Sequence, residues 1–112
     1  MDVGFLATKL NLTVRCGEGE DLHREVLGGY VGDLLSNVMA GSKEGDVWIT
    51  CQTHQNIVAV SVLKEHACII LIQGKQPEED TIERASLEGI PILVTELSGF
   101  DIAGRIYRLI HP

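Results

Sequence analysis

Residues 47–72, VWITCQTHQNIVAVSVLKEHACIILI, decide how the chain is read. Trp48, Ile49 and Thr50 suit a buried strand, and 67–72, ACIILI, is an unbroken apolar run of the kind seen in strands covered on both faces. Between them, IVAVSVL at 57–63 is ambiguous. Its β-branched residues favour a strand, whereas Gln55 and Asn56 before it and Lys64 and Glu65 after it fit a helix of about ten residues. If it is a helix, the runs on either side become parallel neighbours in one sheet.

Downstream, the same rhythm repeats. QPEED at 76–80 puts proline at a first helical position and acid in the first turn, with Gly89 and Pro91 closing that helix. Residues 92–95 read as a third strand. Ser98 to Asp101 has the S-x-x-D capping form, and Ala103, Ile106, Tyr107 and Ile110 give a last helix its inward face.

Upstream, Val3, Leu6, Ala7 and Leu10 predict a short amphipathic helix, 12–15 a short strand, and 16–21 a turn. Val26, Leu27, Tyr30 and Val31 around Gly28-Gly29 suggest a bulged strand. Asp33 stands at an N-cap position before Leu34, Leu35, Val38 and Met39. From about residue 30, strands and helices alternate as βαβαβα. The expected fold class is α/β, a small mostly parallel sheet covered by helices.

The chain's 112 residues leave room for one domain, 1–112. Hydrophobic residues make up 45% and charged residues 22%, the balance of a globular protein. With one Trp, two Tyr and two Phe, its core must be mostly aliphatic. The net charge is -7 and the basic residues are scattered, which opposes nucleic-acid binding. No stretch approaches a membrane span, and the N-terminus lacks the pattern of a secretory signal. A cytoplasmic protein is expected. Cys16, Cys51 and Cys68 are odd in number and form no C-x-x-C, so neither a disulfide framework nor a common zinc site is indicated. His23, His54, His66 and His111 lack metal-ligand spacing. No cofactor is expected.

In an open parallel sheet, ligands sit beyond the carboxyl ends of the strands. The first strand delivers Thr50, Gln52, Thr53, His54, Gln55 and Asn56 to that rim. The second delivers Gln73, Gly74 and Lys75, and the third Thr95, Glu96 and Ser98, with Asp33 at the mouth of the earlier helix. So many donors and acceptors at a strand end need partners. Capping of the next helix by Thr50, Thr53 and Asn56, a ligand cleft, and a subunit contact are all open readings. Cys51 and His54 invite a nucleophile and base story, but i, i+3 spacing on a loop is no catalytic signature.

Three segments, GDLLS at 32–36, GDVWIT at 45–50 and GIPILVT at 89–95, occur in an order and spacing that resemble the DRTGG domain. That module is found alone and within larger proteins such as CBS-domain pyrophosphatases and some phosphotransacetylases. The resemblance covers roughly residues 3–110. It implies a fold similar to the N-terminal domain of HPr kinase, a helix at 57–63, self-association as a homodimer, and a regulatory rather than catalytic role. The polarity of the strand-end loops suggests a small anionic metabolite or nucleotide as the ligand of such a domain, and the alternative is a dimerisation or adaptor module without ligand that pairs with an enzyme partner. The namesake Asp-Arg-Thr-Gly-Gly would fall at Thr53-His54-Gln55-Asn56-Ile57, and none of the five matches. Histidine cannot replace a permanent bidentate cation there.

Overall fold

Residues 56–64 are helical, which settles the sheet. In the computed structural model, which describes residues 1–112, the chain runs α1 (Val3–Lys9), β1 (Thr13–Cys16), a 3₁₀ turn (Gly19–His23), β2 (Gly28–Val31), α2 (Leu35–Gly41), β3 (Asp46–Thr50), α3 (Asn56–Lys64), β4 (Cys68–Leu71), α4 (Glu79–Glu88), β5 (Ile92–Val94) and α5 (Gly99–Ile110). The five strands form one sheet in the order β1-β5-β4-β3-β2. Strands β2 to β5 are parallel in sequence order, and β1 closes the far side antiparallel to β5.

The strict alternation of a strand divides the core in two. Val47, Ile49, Cys68, Ile70 and Leu93 point to one face, under α1 and α5. Trp48, Ile69, Leu71, Ile92 and Val94 point to the other, under α2, α3 and α4. Helix α3 tolerates its β-branched residues because Ile57, Val58, Val60 and Ser61 are all buried there, so packing outweighs propensity. It stops at Glu65, in a left-handed conformation (φ 55°), and α4 stops likewise at Gly89 (φ 70°).

Several expectations need correction. Strand β2 has no bulge at Gly28-Gly29; its register with β3 is continuous, and the irregularity lies in β1 between Val14 and Cys16. Asp33 does not cap α2, whose N-cap is Leu34 with no side-chain bond. Pro77 precedes α4 by two positions, with Glu78 as N-cap. In α5 the buried residues are Ile102 and Ile106, and Tyr107 is 64% exposed. Leu34 and Met39 also face outward, leaving Val38 as the only buried residue of α2. No helix is long and apolar enough to cross a membrane.

Candidate functional site

Because β2 to β5 run in the same direction, their carboxyl ends share one rim, and the loops after them carry the polar residues singled out by sequence. Asp33, just past β2, reaches sideways to the end of β3. Its carboxylate accepts the Thr50 hydroxyl at 2.7 Å and the Cys51 N–H at 2.9 Å. Gln52 joins the knot, its N–H donating to Thr50 Oγ1 and its side-chain amide to Asp33 O. The Cys51 N–H, then the Thr50 hydroxyl, hold the Asp33 carboxyl below its usual value. Burial, followed by the hydrogen bond and charge of Asp33, pushes the Cys51 thiol up. An unactivated thiol is a poor nucleophile at neutral pH.

The next residues turn toward α4 instead of capping α3, whose N-cap Gln55 makes no side-chain cap bond. The His54 imidazole lies 2.8 Å from the Glu78 carboxylate. Thr53 Oγ1 donates to Glu78, Gln55 Nε2 to Asp80, and Thr81 Oγ1 to Thr53 O at 2.7 Å. His54 is therefore directed at Glu78 and not at Cys51. Asn56 stands exposed at the first position of α3. Most of the polar run after Trp48 is thus accounted for by bonds within the rim.

The ends of β4 and β5 are laced together. Gln73 and Gly74 both take left-handed backbone (φ 56° and 70°), which lets Gln73 N donate to Leu97 O and Gly74 N to Thr95 O at 2.9 Å. A non-glycine residue held there costs of order 1 kcal/mol. Glu96 lies over Gly74, so that a Cβ on Gly74 would meet its Oε2 at 2.5 Å. Lys75 is exposed and forms no salt bridge. Ser98 caps α5, accepting the Asp101 N–H.

Beside this junction opens a cleft of about 420 Å³, lined by Asn11, Thr13, Gln76, Thr95, Glu96 and Arg105 among others. Gln76 also takes a bond from the Arg15 guanidinium. The rim is therefore electrostatically uneven. Glu78 and Asp80 stand against Thr53, His54 and Gln55 before α3 and oppose an anion there, while Arg15 and Arg105 offer cations near the end of β5. Asn11, Thr13 and Arg105 were not among the residues expected from sequence. Asn11 and Thr13 reach the rim because β1 is antiparallel, pairing Thr13 with Val94, and Arg105 reaches it from α5. No three His, Cys, Asp or Glu side chains converge as a metal site would require.

A family model described as the DRTGG domain matches residues 6–109. Among solved structures, the CBS and DRTGG domains of the regulatory region of Clostridium perfringens pyrophosphatase, complexed with the activator diadenosine tetraphosphate, resemble the chain with a TM-score of 0.67. The identity is 19%, over 94% of this chain and 44% of that one. The chain thus spans less than half the length of that structure, and the likeness is one of fold. No curated protein shows a significant match.

Proposed function

The chain belongs to the DRTGG domain family, and from that premise we propose that it is a non-catalytic regulatory domain of the cytoplasm that senses a small anionic metabolite or nucleotide at the strand-end rim. The observation that carries this reading is the cleft of about 420 Å³ at the end of β5, where donors and acceptors of both charges meet. Arg105 suits a phosphate or carboxylate. Thr95, Glu96 and Gln76 suit hydroxyl or amino groups of the same ligand. The rim residues read from sequence divide accordingly. Glu96 lines the cleft and Gln73, Gly74 and Lys75 form the loop that leads to it, whereas Asp33, Thr50, Thr53, His54 and Gln55 hold the neighbouring loops in place.

Regulation then follows from differential affinity: a ligand bound more tightly by one arrangement of the rim shifts contacts with a second copy or an enzyme partner. The regulatory region with the similar fold, complexed with a nucleotide activator, supports the same class of ligand. Thermal-shift measurements against nucleotides, dinucleoside polyphosphates and phosphorylated metabolites test this. At roughly 100 times its Kd a ligand stabilises by about 2.7 kcal/mol, a rise on the order of ten degrees for a domain of this size. Arg105→Ala is expected to abolish the rise. The absence of a shift with every compound would favour the second reading, a ligand-free interaction module, which the exposure of Leu27, Val31, Leu34 and Tyr107 supports.

A further inference from the structure

We propose that the open edge of β2 is where two copies of this chain meet, pairing antiparallel about a two-fold axis at Tyr30, with Val31 of each copy seated over Gly29 of the other. This inference takes self-association from the reading above but needs no ligand.

Strand β2 ends the sheet and has β3 as its only neighbour. Gly32 N–H points to that side, donating to Ile49 O at 3.1 Å. Backbone groups alternate along a strand, so Tyr30 also faces β3, and Gly29 and Val31 turn their N–H and C=O outward. The usual protections of an edge are missing. Residues 27–32, LGGYVG, hold no charge and no proline, and the strand has no bulge. The opposite edge, β1, carries Arg15 and an interrupted register.

A two-fold antiparallel pair has few registers to choose from. Centring on Tyr30 sets Gly29 against the partner's Val31 and Val31 against the partner's Gly29, so all four outward groups of each copy find a partner. Centring on Gly29 would set Val31 against the partner's Leu27, whose N–H is already given to Gly45 O. Centring on Val31 would set Gly29 against the partner's Asp33, whose carboxylate is held by Thr50 and Cys51.

Side chains favour the same register. Gly29 and Val31 pair with Val47 and Ile49 and so share the face covered by α5. Over Gly29 that face is hollow: a cleft of about 240 Å³ is lined by Gly29, Val31, Ile49, Ile106, Tyr107 and Ile110 among others. A Cβ on Gly29 would meet only Val47 O, at 3.6 Å. The Tyr30-centred register delivers an aliphatic side chain to that hollow, since Val31 is itself 56% exposed. Leu27 and Leu34, also exposed, flank the two ends of the strand. The surface thus supplies both the knob and the hole, which is the requirement of an isologous contact.

Sedimentation of the full chain over a concentration series, with three variants, tests the proposal. The wild type is expected to dimerise. Val31→Lys places charges at the shared edge, and Gly29→Val fills the hollow at a residue without positive φ; each is expected to weaken the dimer at least tenfold with an unchanged circular dichroism spectrum. Tyr30→Cys is expected to form an interchain disulfide at position 30, because Cα atoms at a non-hydrogen-bonded pair lie about 4.5 Å apart, within disulfide reach. A wild type that stays monomeric throughout, or a dimer untouched by Val31→Lys and Gly29→Val, overturns the proposal. Val31→Lys monomers with no cross-link in Tyr30→Cys overturn the Tyr30-centred register. A ligand-induced thermal shift in a monomeric wild type would leave the sensing role standing while removing this surface.

Discussion

The Thr50 hydroxyl donates to Asp33 Oδ1 at 2.7 Å, joining the end of β3 to the end of β2. Thr50 is buried, so its hydroxyl has no water to fall back on. Asp33→Ala is expected to cost about 1–3 kcal/mol, the penalty of leaving a buried donor unpaired, read as a lower midpoint in urea unfolding. Asp33→Asn keeps an acceptor and should lose less. Because the folded Asp33 carboxyl lies below 3.8, its contribution is present above that pH and fades as the unfolded chain becomes protonated below it.

His66 gives the second pH dependence, with a different sign of charge. It is fully buried beside Trp48, between Ser42 and Ser61. Ser42 gives its only hydroxyl proton to Val38 O at 2.6 Å, so the 2.8 Å bond to His66 must come from Nε2–H, leaving Nδ1 to accept from Ser61 at 3.0 Å. That pattern fits the neutral ring. Burial, partly offset by Asp46 and reinforced by Lys64 and Arg24, pushes its pKa down to about 4. The unfolded chain takes up this proton near pH 6.5, so stability should fall as pH drops from about 6.5 to about 4. An NMR titration of His66 is expected to have its midpoint near the lower end of that window. His66→Gln should flatten that part of the stability profile; an unchanged profile would remove the assignment.

Much of the sheet was legible because its signals are local. The apolar runs at 47–50 and 67–72 and the turn residues near Gly89 mark their elements without help from the rest of the chain. Residues 57–63 were not decided by periodicity, since a helix buried along much of its length shows little contrast between faces; family resemblance resolved them. Asp33 was misread as a cap because local spacing cannot show that Thr50 and Cys51, seventeen and eighteen residues on, offer stronger bonds. Tyr107 has the right helical spacing for the core, yet it lies at the margin of the cleft beside β2. Asn11 was missed for a similar reason, since only the antiparallel placement of β1 brings the N-terminal segment to the rim, and Arg105 because only the packing of α5 sets it beside the end of β5.

Gly74 is a further point where backbone conformation can be checked. Its φ of 70° follows the left-handed Gln73, and Glu96 lies where a methyl group would project. Gly74→Ala is expected to destabilise by about 1–2 kcal/mol through the backbone, measured by thermal or urea unfolding. Adding Glu96→Ala should recover only the part due to crowding, because the carboxylate can swing away and the φ strain cannot.

The thiols separate by environment. Cys16 and Cys68 are buried, and burial pushes Cys68 up to about 12. Cys51 is half-buried, with its thiol raised by burial and by Asp33. Titration of the native protein with a thiol reagent at neutral pH should therefore show one slowly reacting group, with the other two appearing on unfolding. Asp33→Asn removes the negative charge facing Cys51, so the thiol should ionise at lower pH and label faster. His54→Ala should leave that rate nearly unchanged, because the imidazole pairs with Glu78. A large drop in Cys51 labelling in His54→Ala would instead reveal a thiol and imidazole acting together, and would reopen a catalytic role for this rim.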